Sequence, residues 1–208
     1  MGWIESELER AEKERSIRFV VLYGQEPVFP NGGHVDDAMW HGGDNRVRAS
    51  TVEHGVRTEE EAGLIEVRNR LVRAAARCSK TAAVLGADEH GYHRTLIGKE
   101  VPIGDPGKDD RNGDGVIDWP EEPCSPLGDL ERDVWYIVGA GAGAPYYSEE
   151  PSPWNAYWKG RDDTSAGYRL SSQESVLIFR TEGKRLSLRV INPYGEVIDE
   201  VADVMKRK

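Results

Sequence analysis

The chain has 208 residues, 38% of them hydrophobic and 8% aromatic, and a formal net charge of -10. That length can bury one good core, and the composition is that of a globular protein. The acidic balance argues against a nucleic-acid ligand, which needs a basic surface, and no apolar run is long enough to span a bilayer.

Taken in chain order, residues 3–15 place Trp3, Ile4, Leu8 and Ala11 at helical spacing and predict an amphipathic surface helix. Residues 17–24, IRFVVLYG, form a short apolar run ending in glycine. The run predicts a strand buried on both faces. Residues 25–57 are rich in Gly, Pro, Asn, Asp and His and predict a loop. Residues 59–77 have acids first and arginines last, as the helix dipole favours, and predict a second helix. TAAVLG (81–86) predicts another buried strand. Residues 98–130 are broken by Gly, Pro and Asp. Residues 134–138 predict a strand, and 148–166 a polar loop carrying Trp154 and Trp158. Segments 168–172, 175–183, 185–195 and 196–205 predict antiparallel strands, with NPYG as a turn. The expected fold class is layered α/β, or α+β given the antiparallel end, in one domain over 1–208. Cys78 and Cys124 could pair in an oxidising compartment or stand as unrelated thiols, and no Cys/His spacing suggests structural zinc.

Within the broken stretch, residues 110–121 read DRNGDGVIDWPE. They match the calcium-loop pattern D-x-[DN]-x-[DN]-G-x5-E at every position. Calcium takes six to eight oxygens. Asp110, Asn112, Asp114, the Val116 carbonyl, Asp118 and Glu121 would supply them, with Gly115 at the bend and Ile117 packed inward. The flanking Gly104, Pro106, Gly107, Pro120 and Pro123 do not favour helices. The expectation is therefore a brace for an insertion of about 104–124 between the 81–86 and 134–138 strands. A sensor that opens on binding does not fit such flanks.

Both early strands end at polar turns, and in layered α/β proteins ligands gather beyond the carboxyl ends of strands. That edge should collect Gln25, Asp88, Glu89, His90 and His93, with His34 or His41 folding in. Taken alone, His90 reads as a hydrogen-bonded turn histidine ahead of a working metal ligand, and His93 and Arg94 as packing around the turn. The GAGAGAP run (139–145) lacks the GK[ST] ending of a phosphate loop and reads as a close backbone crossing.

These turns resemble the carboxyl-terminal half of calcineurin-like metallophosphoesterases, the superfamily of the purple acid phosphatases. Where that family has Gly-His-x-Pro, this chain has Gly24-Gln25-Glu26-Pro27. Where the family has Gly-His-x-His, it has Ala87-Asp88-Glu89-His90, followed by Gly91-Tyr92-His93-Arg94. PNGGH (30–34), YIVGAGAGAPYY (136–147) and GEVIDEV (195–201) extend the likeness over most of the chain. The resemblance implies half of a layered β-sandwich flanked by helices, and a two-metal phosphoester-hydrolysing centre using zinc, iron or manganese. Carried over by position, the metal ligands become Gln25, a poor donor, Asp88, and a retained His90. The family's Asp-x-His, Gly-Asp-x-x-Asp and Gly-Asn-His motifs are absent, and the chain reads as starting after them.

The expected function is thus a calcium-binding, metallophosphoesterase-related module. It should be non-catalytic alone, structural or assembly-forming, and extracellular or periplasmic. A protein partner, a missing amino-terminal half or self-association would cover its open sheet edge. The alternative is one part of an active phosphatase or phosphodiesterase whose centre another half completes.

Overall fold

A computed structural model describes residues 1–35, 43–139, 141 and 143–206. The predicted contribution of His41 lies outside the described residues, as do Ala140 and Ala142 of the glycine-alanine run. Helix α1 (Gly2–Lys13) buries Leu8 and Ala11, but Trp3 stands 76% exposed rather than on the packed face.

Strand β1 (Val20–Tyr23) leads through the 24–35 turn to a hairpin of β2 (Arg48–Glu53) and β3 (Val56–Gly63). This hairpin corrects two expectations at once. Residues 48–53 are strand rather than loop, and the acidic run 59–61 belongs to β3 rather than to a helix. The reason is the turn: His54 (φ 52°) and Gly55 (φ 80°) are both left-handed, the two-residue geometry whose twist suits a hairpin. Helix α2 (Leu64–Arg77) therefore starts five residues later than the charge pattern suggested. Its start is tied down from both sides. Glu66 Oε2 accepts the Gly63 N–H at 2.9 Å, and Asn45 Oδ1 accepts the Glu66 N–H at 3.2 Å.

Strands β4 (Thr81–Gly86), β5 (Tyr92–Ile97) and β6 (Val134–Gly139) form the centre of the molecule. The one-turn α3 (Pro106–Asp109) sits between β5 and β6, and α4 (Pro153–Lys159) follows β6. Four further strands close the chain: β7 (Tyr168–Ser171), β8 (Val176–Glu182), β9 (Arg185–Ile191) and β10 (Val197–Val201). The large sheet has the order β1-β4-β6-β5-β7. Its first three strands are parallel, and β5 and β7 are antiparallel to their neighbours. The order β10-β9-β8 makes a separate antiparallel sheet. Helices with mixed and antiparallel sheets are thus present, as the expected α+β class requires.

Alternation along the central strands gives the large sheet two apolar faces. On one face, Trp135 and Ile137 join Tyr92, Leu96 and the small sheet's Leu186, Leu188 and Val190. On the other, Val134 and Tyr136 join Ile65 and Val72 of α2, Phe29, and Ile103, Ile117 and Leu127 of the 98–133 segment. Strand β5, which the sequence reading missed, moves the insertion's start to about residue 98, after β5. Nor is β1 buried on both faces: it is an edge strand, with Val21 37% and Tyr23 87% exposed. Both cysteines are free, Cys78 buried and Cys124 partly so. No described helix is long and apolar enough to cross a membrane.

Candidate metal-binding loop and the strand-end histidines

The 98–133 segment is anchored before it reaches the acidic loop. Fully buried Arg68, lying 5.3 Å over the Phe29 ring, donates to the Ile103 and Gly104 carbonyls, and Asn69 Nδ2 donates to Gly104 at 2.9 Å. Burial lowers the Arg68 guanidinium to about 9. The Asp109 carboxylate then closes the base, accepting from Asp105 N–H (2.8 Å), Ser125 N–H (2.6 Å) and Ser125 Oγ (2.5 Å). The expectation that no helix flanks the loop needs amendment. α3 ends immediately before Asp110, with Asp105 accepting the Gly107 N–H and proline at its start.

Inside the loop each early acceptor organises the turn ahead of it. Asp110 takes the Gly113 N–H (2.8 Å) on one oxygen and the Gly115 N–H (2.9 Å) on the other. Asn112 Oδ1 takes the Asp114 N–H at 3.0 Å, and Asp114 Oδ1 takes the Val116 N–H at 2.9 Å. Gly115, at φ 86°, makes the bend, and a Cβ there would meet Arg46 Cγ at 2.6 Å. Residues 115–117 pair antiparallel with 43–45, through Asn45 N–H to Gly115 O and Ile117 N–H to Gly43 O. Because bonding groups alternate sides along an extended chain, the Val116 carbonyl faces the loop, on the side where its N–H meets Asp114. Ile117 is fully buried, as expected.

The donor set fits calcium chemistry, which takes carboxylate, amide and backbone oxygens together. Asp110, Asn112, Asp114 and the Val116 carbonyl come from one preformed turn. Asp118 and Glu121 are exposed, and among the described residues no three His, Cys, Asp or Glu side chains stand grouped to hold a metal. The late acids are therefore not gathered with the early ones. One cation already lies nearby. Arg46 is held bidentately by Asp44 at 2.9 Å, and that bond, then the charges of Asp44, Asp114 and Asp118, raise its pKa.

At the carboxyl ends of the parallel strands, several predicted residues do meet. His34 Nε2 lies 3.9 Å from Asp88 Oδ2, and His90 stacks on Tyr147 at 4.2 Å between centroids. His90 Nδ1 is engaged by the Pro145 carbonyl at 2.8 Å, which is the turn-histidine role. Gln25 is exposed, with no side-chain contact bringing it to Asp88 or His90 among the described residues. Gln25, Asp88 and His90 thus assemble no metal cluster.

The sequence reading underrated the neighbouring pair, Glu89 and His93. Both are buried, with His93 Nδ1 3.2 Å from Glu89 Oε2. The Glu89 carboxyl also accepts the Asn31 and Gly32 N–H groups at 2.8 and 2.6 Å, pinning the PNGGH turn to the strand ends. Burial raises Glu89 to about 7 and lowers His93 to about 3, although His93 also donates to the Phe29 carbonyl. No family model and no curated protein sequence matches this chain.

Proposed function

We propose that this chain is a calcium-braced module related to the carboxyl-terminal half of calcineurin-like metallophosphoesterases, structural and assembly-forming rather than catalytic by itself. The observation that carries the reading is the early half of the 110–121 loop. Three oxygen-bearing side chains, Asp110, Asn112 and Asp114, already accept backbone N–H groups there, and Ile117 is locked into the core. Asp110, Asn112, Asp114 and Val116 would hold the ion, and Asp118 and Glu121 would complete it. Calcium supplies charge neutralisation for crowded carboxylates, and its binding energy adds to folding energy. An extracellular or periplasmic setting goes with this reading, because weak single calcium loops fill where calcium is plentiful.

Stability with and without calcium tests the proposal. An ion held at about a hundred times its dissociation constant stabilises by about 2.7 kcal/mol, or roughly 5–10 °C in a chain of this size. Glu121→Gln and Asp118→Asn should lose most of that gain and melt like the parent in chelator. Asp110→Ala is a blunter probe, since it also strips the acceptors of Gly113 and Gly115 and should lower stability in either condition. Identical melting of Glu121→Gln and the parent in saturating calcium would sink the reading.

A second reading keeps the phosphoesterase centre, with Asp88 and His90 as ligands of zinc, iron or manganese completed by another half. The approach of His34 to Asp88 favours it. The engagement of His90 by Pro145 and Tyr147 counts against it. Plasma mass spectrometry of the purified chain separates the two. Stoichiometric transition metal supports the enzyme, and calcium alone supports the module.

A further inference from the structure

Strand β1 occupies one edge of the large sheet and carries two exposed apolar side chains, Val21 and Tyr23. Val20 N–H bonds Lys80 O at 2.8 Å and Gly24 N–H bonds Leu85 O at 3.0 Å, so the even-numbered residues face β4. Alternation then turns the N–H and C=O groups of Val21 and Tyr23 outward. That side is the sheet edge, where no described strand pairs with β1. The four-residue edge, VVLY, carries no charge, proline or internal glycine to discourage pairing.

The flanking sequence is self-complementary. Arg18 and Glu26, both exposed, stand at equal sequence separations on either side of Leu22, just outside the strand. We propose that β1 pairs antiparallel with β1 of a second copy about a twofold axis at Leu22, joining two five-stranded sheets into one. This register opposes Val21 to Tyr23 of the other copy, and these two residues exchange their outward N–H and C=O groups. An aromatic side chain opposite a β-branched one is a favourable cross-strand pair. The same register brings Arg18 toward Glu26 of the second copy, twice by symmetry. Opposite charges mirrored about a centre are what a twofold contact requires. Arg18 is within reach of this: it is exposed, and its guanidinium donates to the Gly183 carbonyl at 3.1 Å. The inference deepens the assembly-forming reading above and rests on it, naming the surface and the partner.

Sedimentation equilibrium of the full chain over a wide concentration range provides the test. The parent should dimerise reversibly. Arg18→Glu and Glu26→Arg should each raise the dissociation constant by about tenfold, since each turns two attractions into repulsions. Combining the two should restore the parent value, a rescue that misfolding cannot mimic. Tyr23→Lys should leave the chain monomeric with its calcium response intact. A parent that stays monomeric at every concentration overturns the pairing, as does a dimer indifferent to all four variants. Calcium-induced stabilisation in that same monomer would leave the calcium reading standing, so the two failures are distinguishable.

Discussion

At the scale of single residues, the Glu89–His93 pair makes a sharp prediction about pH. Folding raises Glu89 from 4.5 to about 7 and lowers His93 from 6.5 to about 3, both through burial. Between about pH 4.5 and 6.5 the unfolded pair carries one proton, on histidine, and the folded pair also carries one, on glutamate. With equal proton counts the pair adds no slope to stability in that window. Below pH 4.5 the unfolded chain binds the extra proton, so stability falls as pH drops towards 3. Glu89→Gln removes the balance: His93 alone then makes stability rise with pH up to about 6.5. Glu89 Oε1 accepts both the Asn31 and the Gly32 N–H, and an amide oxygen can do the same, so where Glu89 is protonated the variant should cost less than about 1 kcal/mol. Denaturant unfolding of parent and variant across pH 3–7 reads both effects, and matching profiles would refute them. The acidic loop was legible in the sequence because its logic is confined to twelve adjacent positions. The Glu89–His93 pair was not, since its partners Asn31, Gly32 and Phe29 reach it only through the folded topology.

At the scale of elements, two arginines do work that charge pattern alone does not reveal. Arg132 lies beyond the end of α2 and donates to the Ala76 (3.0 Å), Ala75 (3.2 Å), Cys78 and Thr81 (3.0 Å) carbonyls. It satisfies acceptors that a helix terminus leaves open. Arg132→Met should cost about 2 kcal/mol, measured by chemical denaturation, and a neutral result would show that water replaces it. Arg94 on β5 grips Asp199 on β10 at 2.5 Å beside the Tyr92 hydroxyl, over the Trp135 ring, and so clamps the small sheet to the large one. Leaving that cation buried and unpaired in Asp199→Ala should cost about 3–5 kcal/mol. Several elements were readable from local pattern, among them α1, β4, β6 and β9, whose Leu186, Leu188 and Val190 alternate inward. Helix α4 was hidden in a polar stretch, although Ser152 caps Asn155 N–H and Pro153 opens the first turn, a start signal overlooked because the helix is one of seven residues. Strand β5 was hidden because HRT reads as polar. Tertiary partners bury those polar groups: Glu89 for His93, Asp199 for Arg94 and Asn31 for Thr95.

At the scale of the whole molecule, one mixed sheet carries a second sheet on one face and α2 with a long insertion on the other. The class was legible from alternating apolar runs and turns. The edge position of β1 was not, because an apolar run reads the same whether its neighbours lie on one side or on both. The insertion contributes Val101, Ile103, Ile117, Leu127 and Leu130 to the principal core, so the state of its acidic loop should be felt throughout the fold. Calcium titration calorimetry on chelator-treated chain tests this most directly. The account predicts saturable binding at one ion per chain, lost in Glu121→Gln, with a matching rise in melting temperature. Absence of binding heat together with an unchanged melting curve at millimolar calcium, the regime of extracellular sites at about 10⁻⁴–10⁻³ M, would contradict it.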